Sequence, residues 1–76
     1  MKIKQSEAQF LIRRAMLMQQ KTPTMRFGQC LWLLITQDHE DLAQVNLATE
    51  LDFFYQEENH LVMEVFFNHY VENEND

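Results

Sequence analysis

The 76-residue sequence contains one Gly, one Pro and one Cys, and each scarcity excludes something. A lone glycine leaves no P-loop and no Gly-x-Gly-x-x-Gly phosphate cradle. A lone proline leaves no Pro-rich linker, so residues 1–76 are expected to form one small domain with frayed ends at about 1–5 and 72–76. A lone cysteine, Cys30, forms no intramolecular disulfide and belongs to no Cys-x-x-Cys pair. It lies in the run Cys30-Leu31-Trp32-Leu33-Leu34-Ile35, which predicts a packed core thiol in a reducing compartment. That run is the longest unbroken apolar stretch and falls far short of the roughly 20 residues that cross a bilayer. Residues Met1-Lys2-Ile3-Lys4-Gln5 lead into an amphipathic segment rather than a secretory apolar core. A cytoplasmic protein without membrane contact is expected.

Positive charge is also missing from half the chain. Six Lys+Arg stand against twelve Asp+Glu, for a net charge of −6. All six bases (Lys2, Lys4, Arg13, Arg14, Lys21, Arg26) precede residue 38, where Glu7 is their only acidic companion. Eleven acids and no Lys or Arg follow. Nucleic-acid phosphates demand the opposite balance, so direct nucleic-acid binding is not expected. A helix-turn-helix placed at residues 41–51 meets the same objection, because Glu50, Asp52, Glu57 and Glu58 surround its recognition segment. The asymmetry has two explanations: the halves attract each other within the fold, or the acidic half meets a basic partner.

What is present is apolar and helical. Apolar residues make up 46% of the chain, too many for intrinsic disorder. Ser6-Glu7-Ala8-Gln9 has the form of a capping box. From it to about Gln20, Ala8, Leu11, Ile12, Ala15 and Met16 or Met18 recur at helical spacing. Pro23 predicts a second helix starting near residues 23–25 and running to Ile35 or Thr36, with Phe27, Leu31 and Leu34 on one face. Gly28, inside that helix, costs about 1 kcal/mol against Ala and predicts close approach of another helix backbone. A short helix from Asp38 or Asp41 would use Leu42, Val45 and Ala48 as its face. The last helix is expected over about 56–71, with Glu57 and Glu58 in its first turn. The fold class is therefore all-α, a compact bundle of three or four short helices.

The helices carry more apolar surface than a core of this size readily hides. In the last one, Leu61, Val62, Met63, Val65, Phe66, Phe67 and Tyr70 span roughly 240° of the circumference, against about 100° for an ordinary surface helix. Either helix 2 is central and the others wrap it, or Trp32, Leu33, Met63 and Phe67 form a contact patch for a second chain. Glu57, Glu58 and Glu64 would lie beside that patch as an acidic face.

Reactive constellations are few. Glu57-x-x-His60, with Glu64 a turn further on, has the spacing of a bundle metal site, but the second motif that such a site requires is missing. His39 falls in a polar stretch, and His69 is far from His60 around the helix. All three histidines lie in the acidic half, away from the apolar setting of Cys30, so no activated nucleophile is indicated. No enzyme activity, catalytic residue, metal or cofactor is expected.

Two segments taken together resemble a known group. Pro23-x-x-Arg26-Phe27-Gly28-Gln29 with its following apolar run, and Asp52-x-Phe54-Tyr55-x-Glu57-Glu58 with its following helix, resemble small uncharacterised helical proteins of bacteria and phages. Those proteins pair an Arg-Phe-Gly-Gln helix with a downstream Asp-x-Phe-Tyr-x-Glu-[Glu/Asp] segment. The resemblance covers residues 23–36 and 52–70 and implies a small helical fold in a phage or mobile-element setting. It brings no catalytic residues. In physical terms Phe27 and Phe54 are expected as core anchors and Gly28 as a contact point. Asp52 would cap or turn the chain into the last helix, and Arg26 would pair with Asp52 or Glu57. The function expected is a non-enzymatic interaction module that binds itself or a basic protein surface. A homodimeric structural subunit is the alternative, and an inhibitor that mimics DNA is a narrower form of the first reading.

Overall fold

A computed structural model describes residues 2–72. Four helices are ordered along the chain: α1 (Gln5–Lys21), α2 (Phe27–Asp38), α3 (Glu40–Asn46) and α4 (Asn59–Val65), the last continuing into a π-helical turn at Phe66–Tyr70. No strand forms among the described residues; one isolated parallel bridge joins Ile3 to Val71. The radius of gyration is 11.6 Å, near the value of about 11 Å for a compact chain of this length.

The bridge explains where α1 starts. The Ile3 N–H donates to the Tyr70 carbonyl and the Glu72 N–H donates to the Ile3 carbonyl, both at 2.8 Å, while Gln5 Nε2 donates to the Glu72 carbonyl. Ile3 and Val71 are buried. Fraying is expected at 1–5 and 72–76, but residues 3–5 and 72 are tied down; Met1 and residues 73–76 lie outside the described residues. With residue 3 anchored by tertiary pairing, the helix begins immediately after it. Lys4 takes the N-cap position without a side-chain cap, and Ser6 sits inside the helix rather than capping it. Ala8, Leu11, Ile12 and Ala15 form the buried face.

Helix α2 starts later than Pro23 predicts. Thr22 and Met25 close a turn through Met25 N–H and the Thr22 carbonyl (3.0 Å), with Pro23 at the second position that its fixed φ suits. The Gln29 side chain then accepts the Arg26 N–H at 2.9 Å, satisfying a backbone donor at the N-cap and setting the helix start at Phe27. Helix α2 continues to Asp38 and buries Phe27, Gly28, Cys30, Leu31, Trp32, Leu34 and Ile35. It packs against α1, α3 and α4, so helix 2 is the central element. Trp32 is consequently core: only 5% of it is exposed. Its ring stands edge-on to Phe53 (5.3 Å between centroids) and to Tyr70 (6.2 Å).

Helix α3 is shorter than expected and uses another face. Ala43 is its buried residue, whereas Val45 is 74% exposed. Ala48 lies beyond the helix with φ of 60°, its N–H held at 2.9 Å by the Asp52 carboxylate. That pull and the bond from Thr49 N–H to the Asn46 carbonyl (3.1 Å) turn the chain away before Ala48 joins the face.

The last helix begins at Asn59 rather than residue 56. Upstream, Asp52 Oδ1 accepts the Phe54 N–H (3.0 Å) and Gln56 Oε1 accepts the Glu58 N–H (3.1 Å). Such local side-chain acceptors offer the backbone an alternative to helix. Glu58 therefore occupies the N-cap position and Glu57 precedes the helix altogether. The wider π turn places Tyr70 over Phe66, where the rings stack at 6.2 Å and 28°.

Candidate interaction surface

The four residues expected to form a contact patch are not brought together. Trp32 is in the core, Met63 and Phe67 are partly buried against it, and Leu33 alone is well exposed, at 43%. Phe67 spends one ring edge on Phe66 at 5.4 Å. The physical cause is the central position of α2, which turns Trp32 inward and leaves its neighbour Leu33, one residue around the helix, facing out.

The residues expected to organise the fold are redistributed as well. Phe27 is buried, but in the Phe53-Phe54 pair Phe53 is the core ring and Phe54 is only half-buried. Arg26 pairs with neither Asp52 nor Glu57. Its Nη2 donates weakly to the Phe54 carbonyl at 3.4 Å, and its buried Nε meets no partner among the described residues. Asp52 is occupied elsewhere, holding the N–H groups of Ala48 and Phe54, so it shapes the 48–54 loop instead of an ion pair. Gly28 does meet a close backbone, though from a loop rather than a helix. A Cβ there would sit 2.8 Å from the Phe53 carbonyl oxygen and 3.1 Å from Val62 Cγ2.

These bonds push one ring outward. Tyr55 is 79% exposed, edge-on to Phe54 at 5.0 Å, above a surface hollow of about 450 Å³ lined by Asp52, Gln56, Glu57 and Glu58. Val45, Leu47 and Leu61 are the other exposed large apolar residues of the acidic half. The sequence pattern puts Leu61 on the broad apolar arc of the last helix and Val45 on the face of α3, and assigns Leu47 and Tyr55 no place on a surface. The usable signal was Asp52 two residues before Phe54, the spacing of a side-chain-closed turn, which breaks helix periodicity just where Tyr55 follows.

Charge within the fold is left largely unpaired. Among the described residues the one ion pair between a Lys or Arg and a carboxylate is Arg14 Nη1 to Asp38 Oδ2 at 3.0 Å, linking α1 to the end of α2. His39 Nε2 contacts Glu7 Oε2 at 2.5 Å across the same junction. Glu57, Glu58 and Glu64 are exposed, and mutual attraction of the two halves therefore consumes little of the acidity. Elsewhere on the surface, α1 exposes Phe10, Met16 and Leu17 beside Arg13, Arg14 and Lys21.

Reactive chemistry has little geometric support. Burial raises the Cys30 thiol above its ordinary pKa, which disfavours the nucleophilic thiolate. His60 Nδ1 lies 3.8 Å from Glu58, both largely exposed, and no group of three or more His, Cys, Asp or Glu suited to a metal ion occurs among the described residues. The hollow at the α2–α3 junction, about 530 Å³, is lined by Lys2, Asp38, His39, Glu40 and Asp41 among others. No described helix is long and apolar enough to cross a membrane. Comparisons with family models, with curated proteins and with solved structures found no match.

Proposed function

We propose that this protein is a non-enzymatic interaction module whose acidic half docks on a basic protein surface through the corner built by Tyr55, Glu57 and Glu58. The observation that carries this reading is a large aromatic ring held 79% exposed among carboxylates that no Lys or Arg of the described residues neutralises. Tyrosine is enriched at protein contacts because its flat ring contributes area at little entropic cost. Surrounding carboxylates select a basic partner and steer its approach, and an Arg or Lys of that partner gains from the ring face as well. The resemblance of residues 23–36 and 52–70 to small phage-associated proteins fits a role exerted by binding.

Immobilised protein tests this by capture from lysate followed by mass spectrometry. Proteins with basic surfaces are expected to bind at about 50 mM salt and to be released by about 500 mM, where screening acts over only a few ångströms. They are expected to be lost with the triple variant Tyr55→Ala, Glu57→Gln, Glu58→Gln. Capture indifferent to both salt and the triple variant, or no specific capture of any protein, added free copies of the chain included, overturns the reading.

A further inference from the structure

The outer face of α1 is the second unpartnered surface, and its chemistry is the complement of the first. Arg13, Met16, Leu17, Phe10 and Lys21 fall within an arc of roughly 140° on the side of the helix opposite Leu11 and Ala15. Phe10 is 60% exposed, Met16 52% and Leu17 51%. These are large apolar side chains on a helix whose buried face is already satisfied by α2. Shallow hollows flank them: one of about 440 Å³ lined by Phe10, Arg13 and Met16, and one of about 280 Å³ lined by Leu17 and Lys21. Neither Arg13 nor Lys21 pairs with a carboxylate among the described residues. A helix face with this make-up fits an acidic surface that projects an apolar or aromatic knob.

The chain itself supplies such a surface. We infer that the outer face of α1 receives the Tyr55 corner of a second copy, with Tyr55 seated between Phe10 and Met16 and with Glu57 and Glu58 meeting Arg13 and Lys21. The inference rests on the reading that the Tyr55 corner is a docking surface, and it names the occupant. Two chains of net charge −6 repel as wholes, but at physiological ionic strength that repulsion is screened beyond about 8 Å, whereas the contact sets acid directly on base. The contact is heterologous, since the two surfaces differ. Made twice about a two-fold axis it closes a dimer, and made once per copy it extends.

Complementation between variants tests the contact. One variant, Tyr55→Ala with Glu57→Gln and Glu58→Gln, removes the corner; the other, Phe10→Ala with Arg13→Gln and Lys21→Gln, removes the receiving face. All six side chains are at the surface, and circular dichroism verifies that both variants fold. Sedimentation over a roughly hundredfold concentration range should show the native chain associating by mass action. Each variant alone should be monomeric, and a mixture of the two should form a one-to-one complex. Variants that associate as the native chain does, or a mixture that stays monomeric, overturn the inference. So does a native chain that stays monomeric and instead sediments with anionic phospholipid vesicles. A monomeric native chain that still captures basic proteins through Tyr55 overturns the second-copy inference and leaves the proposed function standing. Loss of both self-association and capture removes both.

Discussion

Tyr70 shows how much a single polar atom can contribute to a small core. Its ring is fully buried among Trp32, Phe53 and Phe66, and its hydroxyl donates to the Leu51 carbonyl at 2.5 Å. That bond satisfies a backbone acceptor in the loop that carries Asp52 and Tyr55. Burial, and then the negative charge of Asp52, hold the Tyr70 hydroxyl far above its ordinary pKa. The folded state therefore keeps a proton that the unfolded chain gives up near pH 10. The associated stability is fully present below that pH and is lost as pH rises toward the folded value. Urea unfolding of the native chain should become easier above pH 10, and Tyr70→Phe should flatten that slope. At neutral pH the same variant should cost about 1 kcal/mol through the lost bond. An unchanged alkaline slope in Tyr70→Phe contradicts the assignment.

At the scale of elements, α2 meets the loop before α4 at very close range. Gly28 admits the Phe53 carbonyl to a distance that no Cβ tolerates, with Val62 Cγ2 close behind. Gly28→Ala gains about 1 kcal/mol of helix propensity but forces a backbone carbonyl aside, and overpacking of this kind costs about 1–3 kcal/mol. A net loss near 1 kcal/mol in chemical denaturation is expected, and stabilisation argues against the close approach. The sequence announces this contact, because a glycine inside a helix asks for a reason, but not its partner. The helices themselves follow from periodicity: Ala8, Leu11, Ile12 and Ala15 mark α1, and Phe27, Leu31 and Leu34 mark α2, while the central place of α2 is only one of two positions its apolar circumference allows. Their boundaries do not, since the start of α1 depends on a pairing with residue 71 and that of α4 on the side chains of Asp52 and Gln56. The candidate surface was legible only as charge. Whether Phe53 or Phe54 turns inward depends on one turn of backbone, and with it the exposure of Tyr55.

For the whole molecule the decisive pairing is the most distant in sequence. Ile3 is entirely buried and bonds through both its backbone groups to the segment at 70–72, so one short stretch fastens α1 to the π turn. Ile3→Ala removes packing from both and should cost about 2–4 kcal/mol. Thermal unfolding would detect that loss readily, whereas a frayed segment would change by less than about 0.5 kcal/mol. Loss of the clasp should also free the backbone of Glu72, seen as faster amide exchange at that residue.

The same clasp bears on how the protein is made. Residue 3 leaves the ribosome long before residue 71 exists. At about 5–20 residues per second its partner follows several seconds later. Throughout that interval the apolar stripe of α1 has no complete core to enter. The clasp closes only once residues 70–72 have been made and have cleared the ribosome, so the cover that Ile3 gives the core arrives after α1, α2 and α3 are already complete.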